Sequence, residues 1–305
     1  MASGRRPSVQ RLLSRRLHTA PMKVGFALRS TVLGPSSMAR IIPLLEGSKA
    51  DSVWFPSVGH AFDALDMCGI SLGESHRLRI GTGVIRYTDY DVARLLARLH
   101  TLSEGSGGRF VLGLGTGSGT GRSAIDGLVE VATKLRADYR EGQRPPIFFA
   151  ALKKRILRVA YLKAEGAILN FCPPRYVQEI VPKDVGTKGF TLACYIKLFF
   201  AEKDPIAREM LVDEMKMYNA IPQYHAMFKQ IGSSDSIDRL DPELSQGIPD
   251  DLLEISSANP DDAEVARILE RFSRAGVDLP IIYPYISGDE EYKVAVVERL
   301  ASIVT

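Results

Sequence analysis

The sequence has few cysteines and no long apolar run, and each absence excludes a class of protein. Its 305 residues include three cysteines, Cys68, Cys172 and Cys194, which are far apart and lack Cys-x-x-Cys spacing. This pattern excludes a disulfide framework and a zinc-finger type of site, and it fits a reducing, cytoplasmic location. No apolar stretch approaches the ~20 residues that a membrane-spanning helix needs.

No excess of positive charge remains once the first 21 residues are set aside. The chain has 39 Lys and Arg against 36 Asp and Glu. Residues 1–21 contain five arginines and no acid, which leaves 34 basic against 36 acidic side chains, a net charge of about −2, in the remainder. The basic isoelectric point therefore gives no reason to expect binding to nucleic acid.

Residues 1–21 are predicted to lie outside the fold. They have the Arg-rich, Ser-containing, acid-free composition of an organellar transit peptide. Met22, however, begins Met-Lys-Val-Gly-Phe-Ala-Leu, which is typical of a first strand, and this favours an upstream, wrongly assigned start. In both interpretations we expect one domain over residues 22–305.

Short apolar strands alternate with amphipathic helices from residue 22 onward. The patterns predict eight strands, at 23–28, 51–55, 78–82, 109–114, 146–150, 166–170, 190–200 and 279–283. Helices are predicted at 36–49, 61–72, 92–102, 123–139, 154–163, 205–218, 261–275 and 290–303. Strands separated by helices pair in parallel, so the sequence predicts an α/β fold, a single (β/α)8 TIM barrel. Residues 218–257 are predicted to form short helices inserted before the eighth strand, over the active-site end.

Glycine is concentrated from the end of the fourth strand onward, where it occurs at every second position: Gly113, Gly115, Gly117, Gly119 and Gly121. Side chains alternate along a strand, so one face of this segment is bare backbone. We expect either a tight bend or a ligand lying against that face. The spacing does not match a Rossmann fingerprint, and no Lys-Ser or Lys-Thr pair makes a P-loop.

The run Gly108-Arg-Phe-Val-Leu-Gly-Leu-Gly-Thr-Gly117, with Ala50-Asp-Ser-Val-Trp-Phe55 upstream, carries a family resemblance. It resembles the bacterial luciferase-like superfamily of flavin- and deazaflavin-dependent oxidoreductases. The resemblance is closest to the branch that uses the deazaflavin coenzyme F-420, which includes methylene-tetrahydromethanopterin reductase. The implied fold is the same TIM barrel, with a homodimer as the usual assembly.

The resemblance implies several cofactor-binding residues. Relatives place a non-proline cis peptide behind the middle of the ring, at the positions of Gly83 and Val84. They hold the cofactor's side chain and phosphate at the positions of Thr116, Gly117 and Ser118.

The loop after the fifth strand, which begins Ala150-Ala-Leu-Lys153-Lys154-Arg155, is where relatives bind a phosphate at a helix start. Three cations at the amino end of a helix oppose its dipole, and a bound anion would reverse that effect. We therefore expect Ala150, Lys153 and Lys154 to bind a phosphate or the oligoglutamate tail of the deazaflavin, the alternative being a solvated basic surface.

Acid/base residues are predicted after the second strand. Ser57 and Val58 replace the acidic residue and histidine that relatives often carry there, so His60 and Asp63 are the substitute candidates. Asp63 could equally stabilise the start of the next helix. Trp54 is expected to be a core residue, and Arg29 either a solvated loop residue or a ligand of substrate or of an anionic cofactor group.

The predicted function is an oxidoreductase that transfers a hydride between coenzyme F-420 and a small organic substrate. One alternative is an FMN-dependent luciferase-like monooxygenase. The other is a non-catalytic flavin- or deazaflavin-binding protein, which the departures at Ser57 and Val58 would fit. No nucleic acid, membrane or metal is expected as a partner.

Overall fold

A computed structural model describes residues 22–29, 33–57, 62–117, 119–139, 144–184, 188–241 and 249–304. Eight parallel strands form a closed barrel: β1 (Gly25–Ala27), β2 (Ser52–Phe55), β3 (Arg79–Thr82), β5 (Phe110–Gly115), β6 (Ile147–Ala150), β7 (Gly166–Asn170), β8 (Thr191–Ala201) and β10 (Leu279–Ser287). They pair in that order, and β10 closes the barrel by pairing with both β8 and β1. Two short strands, β4 (Ile85–Arg86) and β9 (Ser257–Ala258), pair in parallel with the ends of β5 and β8.

Helices surround the barrel and cover its carboxyl end. Those that follow strands are α1 (Pro35–Gly47), α2 (Ala64–Gly73), α3 (Val92–Ser106), α4 (Gly121–Ala137), α5 (Lys154–Lys163), α6 (Pro174–Ile180), α7 (Asp204–Asn219) and α12 (Glu290–Ile303). Between α7 and β10 lie α8 (Pro222–Gln230), α9 (Ser234–Asp238), α10 (Asp250–Leu253) and α11 (Asp262–Arg274). Among the described residues, no helix is long and apolar enough to span a membrane.

Aspartates fix the start of several helices. Asp63, Asp91, Asp261 and Asp289 stand immediately before α2, α3, α11 and α12, and each carboxylate accepts a hydrogen bond from a backbone amide of the first turn. Such caps satisfy donors that the helix itself leaves free.

Large side chains fill the barrel interior where glycine leaves room. Trp54 of β2 is fully buried, and its Nε1 donates to Ser52 Oγ at 2.9 Å. A Cβ at Gly81 would lie 2.7 Å from the Trp54 ring, and Phe148 packs at 5.6 Å between ring centroids. Trp54 is therefore a core residue, as predicted.

The predicted barrel is confirmed, and the eight predicted strands are the eight barrel strands. Among the described residues, four elements were not predicted: α6, β4, β9 and a 3-10 turn at Tyr87–Asp89. Helix α6 has only seven residues and begins with the prolines Pro173 and Pro174, which read as a loop in sequence. The two short strands exist only because a neighbouring strand supplies their hydrogen bonds, which no local pattern encodes. Residues 1–21 lie outside the described part of the chain.

Candidate functional site

The carboxyl end of the barrel has two chemically different sides. The glycine side comprises the ends of β3, β5 and β6, with Gly83, Val84, Gly113, Gly115 and Ala150. The tyrosine side comprises the ends of β1, β7, β8 and β10, where aromatic and charged side chains meet. In a parallel barrel, this end is where function is located.

On the glycine side, the bare face of β5 is occupied by the preceding strand and not by open space. A Cβ at Gly113 would lie 2.0 Å from the Thr82 carbonyl oxygen, and one at Gly115 would lie 2.8 Å from the Val84 side chain. Thr82 Oγ1 accepts from the Gly113 amide and donates to the Gly113 carbonyl, both at 2.9 Å. The expected close approach is therefore real, but it is made by the chain itself.

The predicted cis peptide is present between Gly83 and Val84. Tyr195 reaches across the barrel from β8 and donates a hydrogen bond to the Gly83 carbonyl at 2.8 Å. A Cβ at Gly83 would lie 1.5 Å from that hydroxyl oxygen, so glycine is needed here for steric reasons. This contact joins the two sides of the site.

The loop that leaves β5 carries the other predicted cofactor residues. Thr116 is half-buried, and Gly117 has φ of +62°, a conformation that favours glycine. Both lie at the carboxyl end of the barrel. Ser118 lies outside the described residues.

A basic cavity of about 470 Å³ lies beside the glycine side, between the start of α5 and the helices α6 and α8. Its lining includes Lys153, Lys154 and Arg155, which are exposed and make no ion pair within the described part of the chain. One acid, Glu179, also lines it and accepts a hydrogen bond from Gln230 at 2.8 Å, so the lining keeps an excess of positive charge. The Tyr176 hydroxyl donates to the Leu152 carbonyl at 2.9 Å and holds α6 against this loop. The predicted cationic cluster is therefore part of a cavity, with Ala150 at the end of the adjoining strand.

Asp63 stabilises the start of helix α2, which is one of the two roles that the sequence allowed for it. Its carboxylate caps α2 through the Leu65 amide at 2.7 Å and forms an ion pair with Arg98 at 3.0 Å. The Tyr90 hydroxyl also donates to it, at 3.0 Å. Burial raises the pKa of the Asp63 carboxyl, but these hydrogen bonds and the Arg98 charge outweigh burial and hold it below its ordinary value. His60 lies outside the described residues.

The tyrosine side contains a fully buried lysine that we did not identify from the sequence. Lys197 of β8 forms an ion pair with Glu214 of α7 and donates to the Tyr285 hydroxyl at 3.0 Å. Tyr285 in turn donates to Glu214 at 2.7 Å. The Lys197 ammonium also lies 3.9 Å from the ring centroid of Tyr218, within cation–π distance.

Tyrosines from β10 and from the helices α7 and α8 complete this side. Asn170, at the end of β7, donates to the hydroxyls of Tyr224 at 2.7 Å and Tyr218 at 3.1 Å. Burial raises the pKa of Tyr283 and of Tyr285 above the ordinary tyrosine value. Both phenols are therefore neutral hydrogen-bonding groups over the physiological pH range.

One sequence signal could have identified the tyrosine side. Lys197 is the single charged residue within the buried strand β8, Thr-Leu-Ala-Cys-Tyr-Ile-Lys-Leu-Phe-Phe-Ala. A lysine in a strand buried on both faces needs a partner, and this implies an acid nearby. Nothing in the sequence identified Glu214 as that acid, because it lies in a helix 17 residues further on.

Two other side chains near the strand ends, Cys172 and Arg122, have structural environments: one lies in the core and the other on a helix surface. Cys172 is buried with its sulfur 3.9 Å from that of Cys194, as a core thiol. Arg122 is exposed and lies 3.7 Å from Asp126 on the surface of α4. Among the described residues, no group of three or more metal-ligating side chains is present.

Comparison with known proteins supports the resemblance that the motifs indicate. Residues 17–140 match a family model described as luciferase-like monooxygenase. A 120-residue segment is 28% identical to an F420-dependent glucose-6-phosphate dehydrogenase from Kineococcus radiotolerans. That match covers 35% of this chain and 35% of the relative, about a third of the relative's length.

Similar solved structures cover nearly the whole chain. An F420-dependent secondary alcohol dehydrogenase in complex with an F420-acetone adduct has a TM-score of 0.69 at 15% identity, over 94% of this chain and 100% of that one. The coenzyme F420-dependent tetrahydromethanopterin reductase from Methanopyrus kandleri has a TM-score of 0.67 at 15% identity, over 92% and 98%. The oxygenating constituent of 3,6-diketocamphane monooxygenase from Pseudomonas putida, in complex with FMN, has a TM-score of 0.60 at 12% identity, over 93% and 98%. The fold is the luciferase-like TIM barrel, and the resemblance predicted from the sequence is confirmed.

Proposed function

We propose that this protein is an oxidoreductase that transfers a hydride between coenzyme F-420 and a small organic substrate. The observation that carries the proposal is the basic cavity beside the glycine side. Its three cations, Lys153, Lys154 and Arg155, are suited to a polyanionic tail such as the phosphate and glutamates of F-420. The F420-dependent names of one relative and two structural neighbours support the same coenzyme.

In this proposal the coenzyme ring lies at the glycine side and supplies the redox chemistry. Gly83, Val84, Thr116 and Gly117, with Ser118, would border the ring and the start of its side chain. Ala150 lies beside Gly115, since a Cβ added at Gly115 would be 3.2 Å from the Ala150 Cβ, so it belongs to the same edge of the mouth. The protein's part is to orient the ring, to hold its anionic tail and to limit access of water.

Asp63 and His60 are the proposed acid/base residues, with different support. Asp63 already accepts hydrogen bonds from Leu65, Tyr90 and Arg98, and its lowered pKa favours a permanently ionised carboxylate. A general acid needs a proton near neutral pH, so a structural role for Asp63 is the better-supported one. His60 remains the acid/base candidate from the sequence.

The cavity is tested by coenzyme binding to matched variants. We expect Lys153→Glu/Lys154→Glu to weaken F-420 binding tenfold or more in isothermal titration calorimetry, because two attractive charges become repulsive. Its effect on the deazaflavin chromophore lacking phosphate and glutamates should be small. The control variant Lys49→Glu/Lys216→Glu makes the same charge change at exposed sites away from the cavity and should bind F-420 normally. Equal losses in both variants, or an equal loss for the truncated chromophore, would contradict the assignment.

The second candidate is an FMN-dependent monooxygenase, favoured by the family model's description and by the FMN complex among the structural neighbours. Incubating the purified protein with each cofactor separates the two. Retention of FMN with oxygen consumption would replace F-420 in the proposal. Tight F-420 binding without turnover of alcohols, aldehydes or methylene-pterins would instead indicate a non-catalytic binding protein. Cytoplasmic location and a homodimer remain expectations, which fractionation and light scattering would test.

A further inference from the structure

Three buried polar atoms on the tyrosine side have no hydrogen-bond partner among the described residues. Asn170 Oδ1 is an acceptor, and the other two atoms can donate. The Nε of Arg29, just after β1, and the hydroxyl of Tyr283, on β10, are both buried and make no hydrogen bond of good geometry in the described part of the chain. The Tyr285 hydroxyl lies close enough to oppose the rise that burial causes in the Tyr283 pKa, but its own proton is donated to Glu214. Tyr283 as a whole is only 3% exposed. Buried donors in native proteins are almost always satisfied, by protein, water or a ligand.

The two groups lie close together at the carboxyl end of the barrel. Strands β1 and β10 are paired neighbours. The Arg29 guanidinium carbon is 5.3 Å from the ring centroid of Tyr285, and the Tyr283 and Tyr285 centroids are 4.8 Å apart. Burial raises the pKa of Tyr283, and the Arg29 charge opposes that rise, so the guanidinium lies near this hydroxyl. We therefore expect one small acceptor to contact both donors.

The surrounding charges specify what kind of acceptor fits. Lys197 and Glu214 neutralise each other, and Tyr285 is engaged by both. Arg29 makes no ion pair within the described residues, so this cluster carries a net charge of +1. A single negative charge with oxygen acceptors completes it, and a guanidinium with a phenol is a well-matched donor set for a carboxylate.

We propose that Arg29 and Tyr283 form a subsite that binds the carboxylate of a small organic substrate. Tyr285 is a positioning residue in this scheme: Lys197 and Glu214 fix its hydroxyl, and its ring lies beside the Arg29 guanidinium. The inference rests on the proposed function only in assigning the carboxylate to the substrate. Carboxylate binding itself can be measured without any coenzyme, so the two proposals can fail separately.

The test compares benzoate with benzamide, which has nearly the same shape and no charge. Binding to the full-length protein is measured by calorimetry without coenzyme, and again with F-420 bound. We expect benzoate to bind at least tenfold more tightly than benzamide in both conditions. Tyr283→Phe and Arg29→Gln should each weaken benzoate binding by about tenfold or more, as for the loss of a hydrogen bond to a charged group. Tyr292→Phe, a partly buried tyrosine on α12, is the matched control and should bind benzoate as the wild type does.

Thermal stability distinguishes a ligand-binding hydroxyl from a structural one. Removing a hydroxyl that stabilises the fold would lower the thermal midpoint. Because the Tyr283 hydroxyl has no partner in the described part of the protein, Tyr283→Phe should leave the thermal midpoint without ligand unchanged or raised. A lowered midpoint with unchanged benzoate affinity would overturn the proposal, as would equal affinities for benzoate and benzamide. Benzoate binding that disappears once F-420 is bound would also overturn it, because the subsite would then belong to the coenzyme's own carboxylates.

Discussion

The two sides of the barrel mouth are built on opposite principles. The glycine side owes its form to missing side chains, because Gly83, Gly113 and Gly115 let Tyr195, Thr82 and Val84 approach closely. The tyrosine side owes its form to chemical pairing, because Lys197 is held by Glu214, Tyr285 and the surrounding rings. One added methyl group destabilises the close packing of the glycine side, whereas loss of one partner destabilises the buried charge of the tyrosine side. Substitutions on the two sides should therefore lower stability for different reasons.

The largest effect is expected from Lys197→Met, which leaves the Glu214 carboxylate buried without its countercharge. Removing one member of a buried ion pair costs about 3–5 kcal/mol of the free energy of unfolding. Urea denaturation measures this, and the double variant Lys197→Met/Glu214→Leu should recover much of the loss. Lys134→Met, which breaks only an exposed pair with Glu130, is the control and should cost little. A single variant as stable as the wild type would mean that the pair is not buried in solution.

The glycine side is tested by Gly113→Ala. The added Cβ would meet the Thr82 carbonyl oxygen, a backbone atom that cannot rotate away. We expect a loss of about 3 kcal/mol, at the upper end for overpacked sites. Gly105→Ala in helix α3 is the matched control: its Cβ meets no atom within 4 Å, and the change should stabilise the protein slightly. Equal effects of the two substitutions in urea denaturation would contradict the steric account.

The contact that joins the two sides is tested by a double-mutant cycle. Gly83→Ala places a Cβ on the Tyr195 hydroxyl and should cost about 2 kcal/mol. Tyr195→Phe alone removes the hydrogen bond to the Gly83 carbonyl and should cost about 1 kcal/mol. The combined variant should lose less than the sum, because removing the hydroxyl makes room for the methyl group. Simple additivity would show that the two residues do not meet.

The smallest effect is expected at Asp63→Asn, because asparagine still caps α2. What is lost is the partly exposed ion pair with Arg98 and the carboxylate oxygen that accepts from Tyr90. We expect a cost of about 1 kcal/mol near neutral pH. The pKa of Asp63 is lower in the folded than in the unfolded protein, so its stabilising contribution is complete above the ordinary carboxyl pKa of about 4 and is lost as the pH falls through the folded value. The difference in unfolding free energy between the two proteins should therefore be constant from pH 7 to about pH 5 and shrink below about pH 4. A large loss of turnover with unchanged stability would instead restore Asp63 as a catalytic residue.

The difference between the two sides also explains which parts of the site were predictable. Glycines repeated at alternate positions and three consecutive cations are local signals, and they led to residues 113–121 and to the basic cavity. Glu214, Tyr218 and Tyr285 come from separate elements, and no spacing rule connects them with Lys197. The meaning of the glycines was also only partly predictable, because the sequence predicted a close approach without indicating that Thr82 and Val84 make it.

The sequence by itself determined the barrel. Hydrophobic periodicity specifies the strands and helices, and eight strand–helix units that pair in parallel through right-handed crossovers fit a closed eight-stranded barrel. It also determined the resemblance, which depends on a contiguous run of residues. Only the tertiary structure decided that Asp63 is held by Arg98 and that Lys197 has a countercharge in Glu214. It also decided that Arg29 Nε and the Tyr283 hydroxyl have no hydrogen-bond partner among the residues that the structure describes. The physical reason is that these facts depend on distances between side chains far apart in sequence, and those distances are set by closing the barrel.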